Sequence, residues 1–143
     1  MADLEEAIRI AVEAHRGQKD RAGAPYILHP LRMMFRMQTD AERMAAVLHD
    51  VVEDTGWTLD DLRERGFADE VVEAVDHLTR REGESYDEFV ERAARHPVAR
   101  RVKIADLEDN MDVRRTGEVT QKDTERLTRY HRAWRRLTSD AAG

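Results

Sequence analysis

The chain has 143 residues, 38% of them charged and 6% aromatic, with a formal net charge of −6 and no cysteine. That length suits one domain, residues 1–143, with a real core; the missing cysteines exclude disulfides, thiolate nucleophiles and thiolate zinc sites, so any metal must be held by His, Asp or Glu. The acidic balance argues against a nucleic-acid binder, which needs a basic surface to neutralise phosphates, but leaves room for a local basic pocket that takes a small phosphorylated ligand.

No stretch approaches the roughly 20 apolar residues that cross a bilayer, and the N-terminus opens acidic and amphipathic instead of basic and then apolar. No membrane association is expected, and the expected location is the cytoplasm. Leu4, Ile8, Ala11, Val12 and His15 mark one face of a helix over residues 3–16, opened by Asp3 and Glu6 in capping-box spacing. His15 continues the apolar stripe and reads as a hydrogen-bonded core histidine. After Gly17, residues 18–26 carry Gly and Pro breakers and form a loop whose polar side chains are free to face a ligand. His29-Pro30 starts the next helix, because a first-turn N–H has no helical partner to lose. Leu31, Met34 and Phe35 give that helix its apolar face, and His29 stands at the junction of loop and helix.

Thr39 and Glu42 cap a helix that runs through His49-Asp50 and stops near Thr55-Gly56. At about 100° per residue, Met44, Val47, Leu48, Val51 and Val52 share one arc, while His49, Asp50, Glu53 and Asp54 fill the opposite arc around the small Ala46. Like charges three or four positions apart destabilise a helix, so the cluster is either an exposed acidic face or a metal site. Residues 58–64 and 69–78 are short scaffold helices with apolar positions at Leu59, Leu62, Val71, Val72, Val75 and Leu78. Residues 80–84 are a charged connection; Ser85 with Glu88 caps a helix to Arg95, and His96-Pro97 repeats the His-Pro junction.

Residues 98–113 carry a second pattern. Ile104, Leu107 and Met111 form an apolar strip, Lys103, Asp106 and Asn110 a polar strip beside it, and Val102 and Val113 lie on its far side. A polar strip edged by apolar residues faces the interior, where a carboxylate is costly unless paired or metal-bound. Asp106 therefore needs a cation, either Lys103 or a metal ion. The last helix, about residues 122–137, packs through Leu127, Tyr130, Trp134 and Leu137, and its arginines form either a solvated face or a source of phosphate contacts. No period-two strand is evident, so the fold class is all-α: a single-domain helical bundle with roughly six to eight helices.

Three blocks in this order resemble the HD-domain metal-dependent phosphohydrolases, in particular the hydrolase domain of the RelA/SpoT stringent-response enzymes and the stand-alone small alarmone hydrolases. The first is Ala14-His15 with Gln18, Gly23, Pro25-Tyr26-Ile27 and His29-Pro30. The second is Leu48-His49-Asp50-Val51-Val52-Glu53-Asp54-Thr55, and the third Val102-Lys103-Ile104-Ala105-Asp106 with Asn110-Met111. The resemblance implies an HD-type bundle with one divalent ion, typically manganese, on His29, His49, Asp50 and Asp106; two imidazoles and two carboxylates suit Mn, Fe or Zn and leave positions open for water and a phosphate oxygen. It implies that Glu53 and Asp54 orient and deprotonate the attacking water. It also puts Lys103, Asn110 and, in the loop, Arg21 near the substrate, and likens Arg126 and Tyr130 to nucleotide and phosphate contacts. The chain departs from the alarmone hydrolases at Asp20-Arg21, where they carry Arg-Lys, and at Leu107 to Val113, where they read Arg-Leu-His-Asn-Met-Arg-Thr. The expected activity is metal-dependent hydrolysis of a phosphorylated nucleotide, with the 3′-diphosphate of guanosine 3′,5′-bis(diphosphate) as one target. The alternative is a catalytically weak or inactive nucleotide-sensing protein of the same fold. A homo-oligomer is compatible with the sequence but is not specified by it.

Overall fold

Side-chain caps set where most of the helices begin. The computed structural model describes residues 1–139, which form nine α-helices. They are α1 Leu4–Ala14, α2 Leu28–Phe35, α3 Asp40–Leu48, α4 Val51–Asp54, α5 Leu59–Glu64, α6 Asp69–His77, α7 Tyr86–Ala94, α8 Pro97–Asn110 and α9 Gln121–Ser139. Full capping boxes open α3, α5 and α7 at Thr39, Thr58 and Ser85. Asp3 caps α1 through the Glu6 amide, but Glu6 itself pairs with Arg9 at 2.6 Å and does not close a box. Pro97 opens α8 behind His96, whose Nδ1 accepts from the Ala99 amide at 3.3 Å. Among the described residues there is no strand, only an isolated antiparallel bridge between Lys19 and Pro25, and no helix is long and apolar enough to cross a membrane. The all-α class stands.

Helix α3 is the central element, packed on α1, α2, α6 and α8, and Ala45, Ala46, Val47 and Leu48 are wholly buried in it. A smaller cluster of Val90, Leu107, Ala133 and Leu137 seats α9 on α7 and α8. The arginines of α9 are partly tied down there: Arg132 reaches Asp87 at 3.4 Å and Arg136 reaches Glu91 at 2.6 Å.

Three expectations need correction. The helix expected to run unbroken over residues 39–54 stops at Leu48 and resumes at Val51. The His49 ring explains the break: its Nδ1 donates to the Ala46 carbonyl at 2.8 Å, the group that would accept from the Asp50 amide in a continuous helix. Asp50 leaves the helical basin with φ −108° and ψ 2°. This break raises the helix count to nine. On α2, Phe35 is 80% exposed while Met33 is fully buried; with His29 pointing inward, the residue one turn later follows it into the core and Phe35 rotates out. Val113 lies beyond the end of α8 in a 3-10 turn and is exposed.

Glu42 links the start of α3 to α8. Its Oε1 accepts from the Gln38 and Thr39 amides at 3.0 and 3.2 Å, and its Oε2 from Arg101 at 2.6 Å. Burial works against the charge, but these bonds prevail and lower its pKa below 4.5. The stability it contributes is present above that value and is lost as the pH falls through the lowered folded pKa. Glu42→Ala is expected to cost about 2 kcal/mol at pH 7, mostly from the cap because Arg101 is exposed. Urea unfolding should show the difference between wild type and variant shrinking on acidification below pH 4.5.

Candidate metal centre

Three parts of the fold converge on one largely buried cluster. Helix α2 supplies His29, the α3–α4 break His49 and Asp50, and α8 Lys103, Asp106, Asp109 and Asn110. His29, His49 and Asp106 each present one ligand atom within 4.8 Å of the others, and all three are buried. Asp50 lies beside this triad, its Oδ2 3.1 Å from His49 Nε2 and bonded to the Tyr26 hydroxyl.

Asp106 answers the question of its counter-charge in two ways at once. Its Oδ2 accepts from Lys103 at 2.9 Å, and its Oδ1 accepts from His29 Nε2 at 2.9 Å and Asn110 Nδ2 at 3.1 Å. Burial opposes ionisation of Asp106, but Lys103 and the two histidines hold its pKa well below the usual carboxylate range. Lys103 is buried too, yet Asp106 keeps it charged, and its ammonium lies 4.9 Å from the centre of the Phe89 ring.

The tautomers follow from the acceptors. A carbonyl can only accept, so His49 carries its proton on Nδ1, and the buried Nε2 has no hydrogen-bond partner although Asp50 and Asp106 oxygens stand 3.1 and 3.7 Å away. A lone pair facing two carboxylates is repelled unless a proton or a cation sits between them. His29 is held on both sides: Nδ1 meets Asp109 Oδ2 at 2.6 Å and Nε2 meets Asp106. Burial would lower its pKa, but the hydrogen bonds to the two aspartates raise it to about 9. An imidazole whose outer nitrogen is fixed by a carboxylate and whose inner nitrogen faces a second one is the arrangement that supports a metal ligand. The donor set fits a divalent cation, with nitrogen from two rings and oxygen from aspartate.

Two contributors escaped the sequence reading. Asp109 is 1% exposed and also accepts from Arg32 Nε at 2.8 Å and Nη2 at 3.0 Å, and from Arg115 at 3.3 Å. Its spacing of three from Asp106 on α8 is the only local signal. Tyr26 was visible only as part of the loop block; its phenol, raised in pKa by burial and by Asp50, stays protonated and donates to Asp50.

The pocket around the triad also takes in Glu53, Asp54, Arg21, Arg80, Arg129 and Tyr130, in a cavity of about 610 Å³. Glu53 accepts from the Arg80 amide at 2.8 Å. Burial, with the neighbouring Asp50 charge, raises the pKa of both Glu53 and Asp54. Arg126, on the next turn of α9 from Tyr130, is ion-paired with Asp123 and lines an adjoining recess instead. Asp20, the acid where the resemblance expects an arginine, caps its own loop by accepting from the Ala22 and Ala24 amides at 2.9 Å.

A family model described as HD domain matches residues 7–116. The chain belongs to the HD domain family. Among curated HD relatives, the probable GTP pyrophosphokinase of Mycobacterium leprae is 37% identical over 121 residues, which are 76% of this chain and 15% of that protein. The guanosine-3′,5′-bis(diphosphate) 3′-pyrophosphohydrolase of Aquifex aeolicus is 31% identical over 121 residues, 76% of this chain and 17% of that protein. The chain thus spans less than a fifth of the length of these two relatives. A solved structure of a metazoan ortholog of SpoT that hydrolyses ppGpp superposes with a TM-score of 0.76 at 27% identity, covering 96% of this chain and 85% of that one.

Protons on His29 compete with a divalent ion. Because its pKa is raised, from 6.5 to about 9, binding of a cation at pH 7 is expected to release at least one proton, and metal affinity should rise with pH up to about 9. Calorimetric titration with Mn²⁺ in buffers of different ionisation enthalpy measures the release. Asp109→Asn removes the carboxylate behind His29 and should weaken Mn²⁺ binding by about 10- to 100-fold.

Proposed function

We propose that this HD chain is a divalent-metal-dependent phosphohydrolase acting on a nucleotide, with the 3′-diphosphate of guanosine 3′,5′-bis(diphosphate) as the leading target. The observation that carries this reading is the buried His29, His49 and Asp106 triad inside a pocket that also holds paired acids and arginines. The Aquifex relative named as a 3′-pyrophosphohydrolase and the ppGpp-hydrolysing metazoan neighbour support it.

His29, His49, Asp50 and Asp106 would hold the ion, for which manganese is our choice among metals that accept mixed nitrogen and oxygen donors. When bound, such an ion acidifies water and offsets the charge that develops on a phosphoryl group. The remaining chemistry belongs to side chains of the chain. Glu53 or Asp54, whose carboxyls burial and the Asp50 charge push above their ordinary values, takes the proton of the attacking water. The water oxygen bonds to phosphorus, the ester bond to the nucleoside 3′-oxygen breaks, diphosphate departs and a proton ends on that oxygen. Lys103 and Asn110 hold Asp106 in place, while Arg21, Arg80 and Arg129 line the side on which phosphate oxygens approach. Tyr130 offers a ring face beside Arg129, 5.7 Å from its guanidinium. The inferred location is the cytoplasm, where a free nucleotide substrate is available.

Diphosphate release from guanosine 3′,5′-bis(diphosphate) should require added Mn²⁺. His49→Ala and Asp106→Ala are each expected to lower kcat/KM by about 100-fold or more, and Glu53→Gln or Asp54→Asn should lower kcat by about 100-fold with metal affinity retained. Turnover that survives both ligand substitutions would sink the assignment. Nucleotide binding with no turnover over long incubation would favour the sensing protein instead.

A further inference from the structure

The connection between α6 and α7 carries Leu78 and Arg80 into the lining of the metal pocket, and a buried guanidinium behind it holds its shape. Arg92 lies on α7, 7% exposed and outside the pocket lining, and directs its donors at this connection. Its Nε and Nη2 grip the two Glu84 oxygens at 2.8 and 2.9 Å. Nη1 donates to the Asp76 carbonyl at 2.8 Å, and Nη2 also donates to the Thr79 carbonyl at 2.6 Å. The pairing with Arg92 holds the Glu84 carboxyl down at about 2, so the grip is ionic at neutral pH.

One of these bonds reaches the pocket through a single peptide group. The Thr79 carbonyl and the Arg80 N–H belong to the same planar trans unit and point in opposite directions. Arg92 holds the carbonyl end at 2.6 Å, and Glu53 Oε1 accepts from the N–H end at 2.8 Å. Donation to the carbonyl of a peptide group polarises its N–H and strengthens the bond on the far side. Glu84 secures the flanking groups: its Oε1 accepts from the Arg81 amide at 3.1 Å, and its carbonyl from Arg80 Nε and Nη2 at 3.2 and 3.1 Å. The Arg80 amide is the one hydrogen-bond donor to Glu53 among the described residues, and the Asp54 side chain has none there.

We propose that Arg92 is a positioning residue for Glu53: by orienting the Thr79–Arg80 peptide, it fixes the carboxylate that takes the proton of the attacking water. This rests on the phosphohydrolase reading above and selects Glu53 as the proton acceptor of the acidic pair. Arg92 acts on the reaction without touching substrate, through one peptide group and one carboxylate.

The test is a double-mutant cycle on diphosphate release with Mn²⁺. Arg92→Met is expected to lower kcat by about tenfold, with KM and the Mn²⁺ Kd within about threefold of wild type, because Arg92, Thr79 and Glu84 all lie outside the pocket lining. In the Glu53→Gln background the same substitution should cost no more than about twofold, since the group it positions no longer accepts a proton. An equal loss in both backgrounds, or no loss in the wild-type background, overturns the inference and leaves phosphohydrolysis intact. Where Arg92→Met does not fold, Arg92→Lys takes its place in the cycle; it keeps a cation against Glu84 but cannot meet all four acceptors, and a loss of about threefold is expected. Should no nucleotide turn over, the activity reading fails, and hydrogen exchange of the Arg80 amide decides the inference. Arg92→Met and Glu53→Ala are then each expected to speed that exchange by about fivefold or more, and the two together no further. Arg80 exchange that Arg92→Met leaves unchanged, or that the two substitutions speed independently, overturns the inference.

Discussion

The carboxylate of Asp106 is the interaction on which the site and the inner fold both depend. A buried charge of this kind is tolerated only if its lone pairs are met, and here they are met from several directions: Lys103 on one oxygen, and His29 and Asn110 on the other. Two of those donors come from α8 itself, but His29 lies 77 positions earlier, on α2. His49, at the end of α3, stands 3.7 Å away. One carboxylate therefore fastens α2 to α8, with the end of α3 close beside it. Removing it would leave a buried lysine and two imidazoles with less counter-charge, so stability and the proposed cation affinity are linked at this position.

A second layer of acceptors fixes how the rings present themselves. The Ala46 carbonyl sets the tautomer of His49, and Asp109 fixes the orientation of the His29 ring. Asp109 is held in turn by Arg32 and Arg115. Those arginines brace the His29 ring from behind, through Asp109. The rigidity of the centre thus depends on an ion-pair network that begins outside it.

What was legible in the sequence was what is local. Thr39 with Glu42, Ser85 with Glu88, and His96-Pro97 announce their helices because the hydrogen bonds involved span three residues. The polar strip of Lys103, Asp106 and Asn110 was also legible, since a helix carries its own register. Asp109 was not, because its partners His29 and Arg32 are 80 and 77 residues away, and beside Glu108 it looks like one more surface acid. Tyr26 was hidden in the same way, its partner being Asp50, 24 positions on. Phe35 misled because an apolar side chain at the end of a helix need not face the core, and α2 takes its orientation from His29.

The break after Leu48 was invisible to periodicity for a different reason. An arc drawn over residues 44–54 assumes that every residue turns by the same angle, and a single side-chain bond to a backbone carbonyl is enough to defeat it. The effect is a separation of surroundings that an unbroken helix would not give. In one straight helix His49, Asp50, Glu53 and Asp54 would share a polar face, all solvated alike. With the turn in place, His49 is buried against His29, their ring centroids 5.3 Å apart, while Glu53 and Asp54 stay exposed on the following turn and line the pocket. Asp50, at the bend, touches both the buried ring and the Tyr26 hydroxyl. The more deeply buried of the two cluster imidazoles is the one whose own Nδ1 bond breaks the helix, so the ring at the heart of the cluster also makes the geometry that sets Glu53 and Asp54 apart from it.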